Sequence, residues 1–493
     1  MLFKLKVRLS KHNLLNLVDK HFEPYVNQED YELIDEDARE LITHNRLDLA
    51  IKIFYLQMKK YKDVLFAEEL YIQHINAFSL GSFKEPGNDK KNNIGQHFDV
   101  FESISSSVFD HGIDETKSIV PLSKNGSIAN GAHRVASAYV AGKKVPLVLI
   151  DAPDHIYDFK FFFRRGMHRQ DIEIAVTKFI ESAENCYVAL IWPSAQGRQK
   201  EIDALIPNVI YQNNISLNYN GAQNLLTQVY YGETWLGSRD SKYPGAKNKL
   251  VKCFESFNDL RVVAFQAKSL DEVLSIKEKV RVLFSIGKHS IHITDTKREA
   301  IQTARILFNE NSIHFLNYGD PCKYKTTHHK MQKFKSFVNK NDIGLDNVVL
   351  DTSIILSLYG IRECRDLDYL SVNTGVVKCP DDLIEDHQNE LNFHREEKNN
   401  LIFNPALYFY FNELKFISFP QLYKMKKNRA GIKDQNDILL MKALIEHNWV
   451  SLLIAKFKQG FYFFIEKTKI KIVDLLKFIG LYKIVRCVYR AFK

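Results

Sequence analysis

Apolar residues recur at three- and four-residue spacing through "DEDARELITHNRLDLAIKIFYLQMKKY", and residues 12–80 read as helices on that period. Residues 85–93, "EPGNDKKNN", read as a polar loop, after which "FDVFESISSSVF" resumes the helical pattern. Between 117 and 151 the order becomes strand, turn, strand, helix, strand. Asn125-Gly126 is a hairpin turn signal, Gly142 closes the helix "HRVASAYVAG", and "VPLVLI" reads as a buried strand. From 156 to 335 strand and helix patterns alternate. "CYVALIW", "NVIYQNNISL", "LRVVAFQA", "HSIHIT" and "SIHFL" are the strands; "QKEIDALI", "GAQNLLTQVYYG", "SLDEVLSIKEKVRVLFSI" and "KREAIQTARILFN" are the helices. That order predicts an α/β layer with at least some parallel strands. Residues 323–342 are basic and polar and form a candidate boundary, and residues 343–447 form a second mixed unit.

With 493 residues, two to four domains are expected. The expected class is a multidomain α/β and α+β protein, with units at 1–155, 156–335, 336–447 and 448–493. The six cysteines form no CxxC pair, which fits reduced thiols in a cytosolic protein. The opening residues lack the pattern of a signal peptide, and no uncharged apolar run is long enough to span a bilayer. The net charge of +9 is concentrated at one end. From Ser451 to Lys493, ten Lys or Arg face only Glu466 and Asp474. The rest is close to neutral, which argues against a general nucleic-acid surface, so no DNA partner is expected.

In "LDTSIILSLYGIRECRDLDYLS", residues 350–371, Asp366 and Asp368 stand two apart and share one face of a strand. Two carboxylates held together repel unless a cation lies between them, and Mg²⁺ bound to donor phosphates does this. The alternative is a solvated strand end neutralised by Arg362 and Arg365. With "FISFPQLYKMKKNRAGIKDQNDILLM" downstream, the segment resembles the nucleotidyltransferase superfamily over roughly residues 343–447. That resemblance implies a Mg²⁺ site on Asp366 and Asp368, with Ser353, Arg362 and Arg365 at phosphates. Lys427 or Lys433 would stabilise developing charge, and Asp434 and Asp437 fall at the places of the family's later acids. Thr352-Ser353 replaces the family's Gly-Ser pair. Asp381, Asp382, Glu385 and Asp386 are the candidates for a third carboxylate.

"GSIANGAHRVASAYVAGKKVPLV" resembles the ParB/sulfiredoxin-like superfamily. The resemblance implies a phosphate site at Asn130, Gly131, His133 and Arg134, which Lys84, Lys90 and Lys91 could close. Gly131 suits close backbone approach, and the helix that follows presents free N–H groups. The alternative is that His133 and Arg134 only cap the helix. Ala132 stands where sulfiredoxin carries its cysteine and ParB a glutamate, which excludes thiol chemistry there.

In "GKHSIHITDTKREA", Lys288, Ser290 and His292 are expected on one strand face, and Thr296 with Glu299 forms a capping box. Lys288, His292 and Asp295 then make a candidate anion site, with His314 near it; the alternative is a structural histidine and a capping aspartate. His289 and His292 lack a third ligand at metal-site spacing, so zinc is not expected.

The tail "KTKIKIVDLLKFIGLYKIVRCVYRAFK" is a basic amphipathic pattern suited to an anionic membrane surface over 461–493. The alternative is a helix docked on the protein's own core. The combination resembles proteins of bacterial capsule and O-antigen assembly. It implies a cytoplasmic transferase, peripheral at the inner face of the plasma membrane. Its partners would be a nucleotide or nucleotide-sugar donor and a glycan or lipid-linked acceptor. The rivals are a nucleotide-binding scaffold or sensor with degenerate sites, and an antitoxin-type nucleotidyltransferase.

Overall fold

The computed structural model describes residues 8–482 and 485, apart from 86, 88–89, 256–257, 373–383 and 447–448. It is a mixed α/β chain with four small sheets among the described residues.

The first eighty residues are not all helical. Strands Asp30–Glu32 and Ile34–Asp37 and 3-10 turns Lys20–Tyr25 and Ala38–Leu41 precede the helices Leu47–Met58 and Leu65–Ser79. Asp19 and Asp37 open the turns by accepting the N–H groups of His21 and Arg39, a local bond that competes with helix. Leu47–Met58 is buried at every position from Leu47 to Leu56, including Asp48 and Lys52. It packs on the helix Ala132–Ala141, which in turn contacts a sheet ordered Ile34–Asp37, Lys144–Leu149, Val120–Leu122. The hairpin at Asn125-Gly126 is present: Gly126 has φ +85° and Leu122 bridges Ile128.

In the central sheet the order is Val209–Ile215, Leu260–Gln266, Cys186–Ile191, Ile291–Ile293, and every neighbouring pair is antiparallel. The expected parallel pairing fails for a topological reason. Leu260–Gln266 enters between Cys186–Ile191 and Val209–Ile215, so the two strands joined by a helical crossover never become neighbours. "SIHFL" is not a strand but part of the helix Glu310–Tyr318, capped by Asn309, whose Oδ1 accepts the Ser312 N–H. A five-residue run with three apolar residues fits either element, and the cap decides. The basic stretch from 323 is the helix Lys325–Lys340, which buries Met331, Phe334, Phe337 and Val338.

The last sheet runs Ile384–Asp386, Leu367–Ser371, Val348–Asp351, Leu414–Ile417, Tyr408–Phe411. Val348–Asp351 is its centre, antiparallel to Leu367–Ser371 and parallel to Leu414–Ile417. The helix Ser353–Leu358 leaves directly from the end of that strand. The helix Trp449–Phe478 packs against the helix Ile432–Ile445. Among the described residues no helix is long and apolar enough to cross a membrane.

Candidate functional site

Strand register gathers the acids of the last sheet. Asp351 pairs with Asp368 across the two central strands, and Asp368 pairs with Glu385 on the next. Register partners point to the same face, so three carboxylates lie side by side. Asp351 is completely buried, Asp368 partly, and Glu385 is exposed. Asp386 pairs with Tyr369 instead; Asp381 and Asp382 lie outside the described residues.

The strand-to-helix turn holds these acids in place. The Thr352 N–H donates to Asp351 Oδ1 at 2.7 Å, and its hydroxyl donates to Asp368 Oδ2. Ser353 Oγ donates to Asp366 Oδ1 at 3.1 Å. Thr352 has φ +56° and ψ −119°, a conformation foreign to a β-branched residue. The strain is carried at the residue that fixes two carboxylates.

Burial and the neighbouring Asp366 and Asp351 charges raise the Asp368 carboxyl to about 6, against the Thr352 hydrogen bond. Asp351 behaves oppositely. Its Oδ2 meets His387 Nδ1 at 2.9 Å and His394 Nε2 at 2.8 Å. These contacts outweigh burial and hold it below the ordinary carboxylate range, while the Asp351 contact raises His387 despite burial. The three ligand atoms lie within 4.8 Å of one another.

The cations expected at phosphates divide into two groups. Arg362 is buried and grips Asp437 with two bonds, Nε–Oδ1 at 2.6 Å and Nη2–Oδ2 at 2.9 Å. Lys426, not Lys427, is the buried lysine of its helix, 2.8 Å from Asp437 and 3.2 Å from Asp434. Lys427 and Arg365 are exposed. Lys433 is half-buried within reach of the Asp437 and Asp366 charges, and burial lowers it. Asp434 and Asp437 therefore brace the helices behind the site.

At the NGAHR element, Gly131 has φ +91° at the start of the helix Ala132–Ala141, and Asn130 Oδ1 accepts its N–H at 2.6 Å. His133 does not cap. Its Nε2 meets Tyr71 Oη at 2.9 Å and its ring stands edge-on to Phe101; burial and the nearby Lys52 hold it well below its ordinary value. Arg134 donates to Ser118 Oγ and to the Ile119 carbonyl. Beside His133, Lys52 bonds Asp48 and His74, Arg46 grips the same Asp48, and Lys91 pairs with Glu85.

The third cluster is only partly assembled. Lys288 lies in a 3-10 turn, Gly287–His289, rather than on the strand, and is exposed. His292 packs on Tyr230 and burial lowers it to about 3. Asp295 is bound by Lys277. His314 bonds Tyr359 in the C-terminal sheet unit, not this cluster. The Thr296 cap holds, its Oγ1 accepting the Glu299 N–H, while the Glu299 carboxylate receives the N–H of Asp295, one residue before the cap.

The pattern in the sequence missed Asp351, His387, His394 and Lys426. Asp351 reads as the polar end of an apolar strand, and the histidines follow it by more than thirty residues with no motif spacing. No protein-family model, curated protein or solved structure matches the chain.

Proposed function

We propose that the chain is a membrane-associated transferase that uses a Mg²⁺-bound phosphorylated or nucleotide-activated donor in bacterial capsule or O-antigen assembly. The carrying observation is the register of Asp351, Asp368 and Glu385 beside the strained turn that fixes Asp366 and Asp368. This strand, tight turn, short helix and antiparallel strand follow the order expected of a nucleotidyltransferase-like unit. The oxygen donors suit Mg²⁺, a hard cation held by one or two carboxylates. When bound, Mg²⁺ supplies charge neutralisation and alignment of the donor phosphates. Asp366 and Asp368 would hold the ion, Thr352 and Ser353 orient these carboxylates, and the half-buried Lys433 lies within electrostatic reach of Asp366.

The long C-terminal helix supports the membrane part of the proposal. Val450, Leu453, Ile454, Phe457, Phe461 and Phe464 are exposed at three- and four-residue spacing, with Phe457 at 78%. Ile472, Leu475 and Phe478 continue the same stripe. With the excess of Lys and Arg after Ser451, it has the chemistry of a helix lying in an anionic interface. A ParB-like unit at the NGAHR element would hold a second phosphorylated ligand only by drawing Lys91 from Glu85, since Arg46 and Lys52 are buried on Asp48.

The test is release of pyrophosphate or nucleoside diphosphate from Mg²⁺-nucleoside triphosphates and nucleotide sugars by wild type and Asp366→Asn/Asp368→Asn. Turnover lost in the double variant is the expected result. Mg²⁺-dependent binding without turnover favours the sensor, a reading that Thr352 at the glycine position supports. Absence of both binding and turnover overturns the proposal.

A further inference from the structure

We propose that Asp351, His387 and His394 form a binding site for a first-row transition dication such as Zn²⁺ or Fe²⁺, distinct from the oxygen-only pair Asp366 and Asp368. One oxygen, Asp351 Oδ2, faces two imidazole nitrogens at 2.9 and 2.8 Å, so three ligand atoms of the correct type converge on one point. Asp351 and His394 are completely buried, and the His387 side chain is 12% exposed. The site therefore has a dry floor and one open side.

Each ligand rides on a braced piece of backbone. Asp351 ends the central strand, and its other oxygen is held by the Thr352 N–H. The His387 N–H donates to the Tyr369 carbonyl at 2.9 Å. His394 ends the turn Gln388–His394, and its carbonyl receives Gln421 Nε2 at 2.9 Å. Ligands fixed in this way need little reorganisation to take up an ion.

Hydrogen bonding alone accounts poorly for this arrangement. Both imidazoles converge on one carboxylate oxygen, and His394 leaves Nδ1 buried with no hydrogen-bond partner. A core histidine so placed returns little of its desolvation cost; a coordination bond at Nε2 returns it. Charge points the same way. Asp366 and Asp368 add to Asp351, while Arg362 and Lys426 behind them are committed to Asp437 and Asp434.

The ligand types select the ion. Imidazole suits zinc, iron, nickel and copper, whereas Mg²⁺ favours oxygen. Two His and one carboxylate leave coordination positions open for water or a substrate oxygen, as in catalytic rather than closed structural sites. This inference does not depend on nucleotidyl transfer.

The test uses the full chain after EDTA treatment, titrated with Co²⁺ as a visible-absorbing probe and then with Zn²⁺. The expected result is one equivalent of Co²⁺ with d–d absorption, displaced by Zn²⁺. His387→Gln, the more exposed ligand and the safer substitution for folding, should weaken binding by at least about 100-fold, more than loss of an outer-shell partner does. Asp366→Asn should retain the Co²⁺ signal while losing Mg²⁺-dependent nucleotide binding, which separates this site from the proposed transferase. Absence of stoichiometric Co²⁺ or Zn²⁺ binding in wild type, or equal binding in His387→Gln, overturns the proposal.

Discussion

Asp368→Asn should make the metal-free protein more stable at pH 8, although it removes a residue of the proposed active site. The Asp368 carboxyl rises from the ordinary 3.8 to about 6, chiefly through burial and then through the charge of Asp366. Between those values the folded chain holds the proton that the unfolded chain has released. Stability from this group is therefore complete below about pH 4 and is lost as pH rises through about 6. The gap corresponds to about 3 kcal/mol of destabilisation at pH 8. Asparagine keeps the shape and can still accept from the Thr352 hydroxyl, but it carries no charge to bury. Urea unfolding in EDTA at pH 5 and pH 8 reads the effect directly. The variant should exceed wild type by up to about 3 kcal/mol at pH 8 and by about half that at pH 5. The rise in melting temperature would be about 3 °C if the whole chain melts together, and more if the C-terminal sheet melts alone. Millimolar Mg²⁺ should close the gap by stabilising only wild type. A variant no more stable than wild type at pH 8, or a gap that ignores pH, would refute the reasoning.

Arg362→Met removes the two-bond partner of Asp437 but leaves Lys426 2.8 Å from it, so the loss should fall below the about 3–5 kcal/mol of a fully stranded buried charge, and Arg362→Lys should not restore the two-bond grip. An Arg362 that instead served phosphates would show lost nucleotide affinity with little change in melting. Gly131→Ala places a Cβ 2.9 Å from Arg134 Nη2 and 3.0 Å from Val120 Cγ2, at φ +91°, so denaturation should show a loss of about 1–3 kcal/mol. Serine at Phe457, Phe461 and Phe464 together should weaken co-sedimentation with anionic vesicles by more than about 100-fold, since each buried phenyl is worth about 1.5–3 kcal/mol. Unchanged vesicle binding would leave that helix to another role.

Local signals carried much of the fold. The Asn125-Gly126 turn, the Thr296 cap and the Gly142 helix end were all legible because each is settled by a few adjacent residues. The antiparallel centre was not, because the insertion of Leu260–Gln266 between earlier strands leaves no mark on any one segment. "SIHFL" is too short to decide between strand and helix, and its cap, Asn309, reads in the sequence as the end of the preceding helix "KREAIQTARILFN". At the site, the D-x-D spacing placed Asp368 on the strand Leu367–Ser371, whereas Asp366 lies in the bend before that strand and meets Ser353. The histidines were invisible, because they follow Asp351 by more than thirty residues at no motif spacing. Lys426 and Lys427 cannot be told apart by type, only by which side of the helix meets Asp437.

The sheet that carries the site is held from outside its own residues, and this has a consequence for fragments. Phe334 and Phe337, on the helix Lys325–Lys340, pack their rings 5.3 and 6.0 Å from Tyr369, next to Asp368. Lys330 Nζ donates to the Cys364 carbonyl, and Thr327 shares a buried hydroxyl contact with Ser357 on the helix that follows Ser353. Farther back, Asn309 Nδ2 donates to the Tyr408 carbonyl and His314 meets Tyr359 Oη at 2.9 Å. A fragment spanning 343–446 loses all of these, including the two phenyl rings, and uncovers Tyr369. Each ring is worth about 1.5–3 kcal/mol, which together approaches the whole stability of an ordinary domain. The fragment 343–446 should therefore show weak near-ultraviolet circular dichroism and no cooperative melt, whereas 308–446 should regain both. A cooperative melt of 343–446 alone would show that the strand Leu367–Ser371 keeps its register, and with it the Asp351–Asp368 pair, without the helix that covers it.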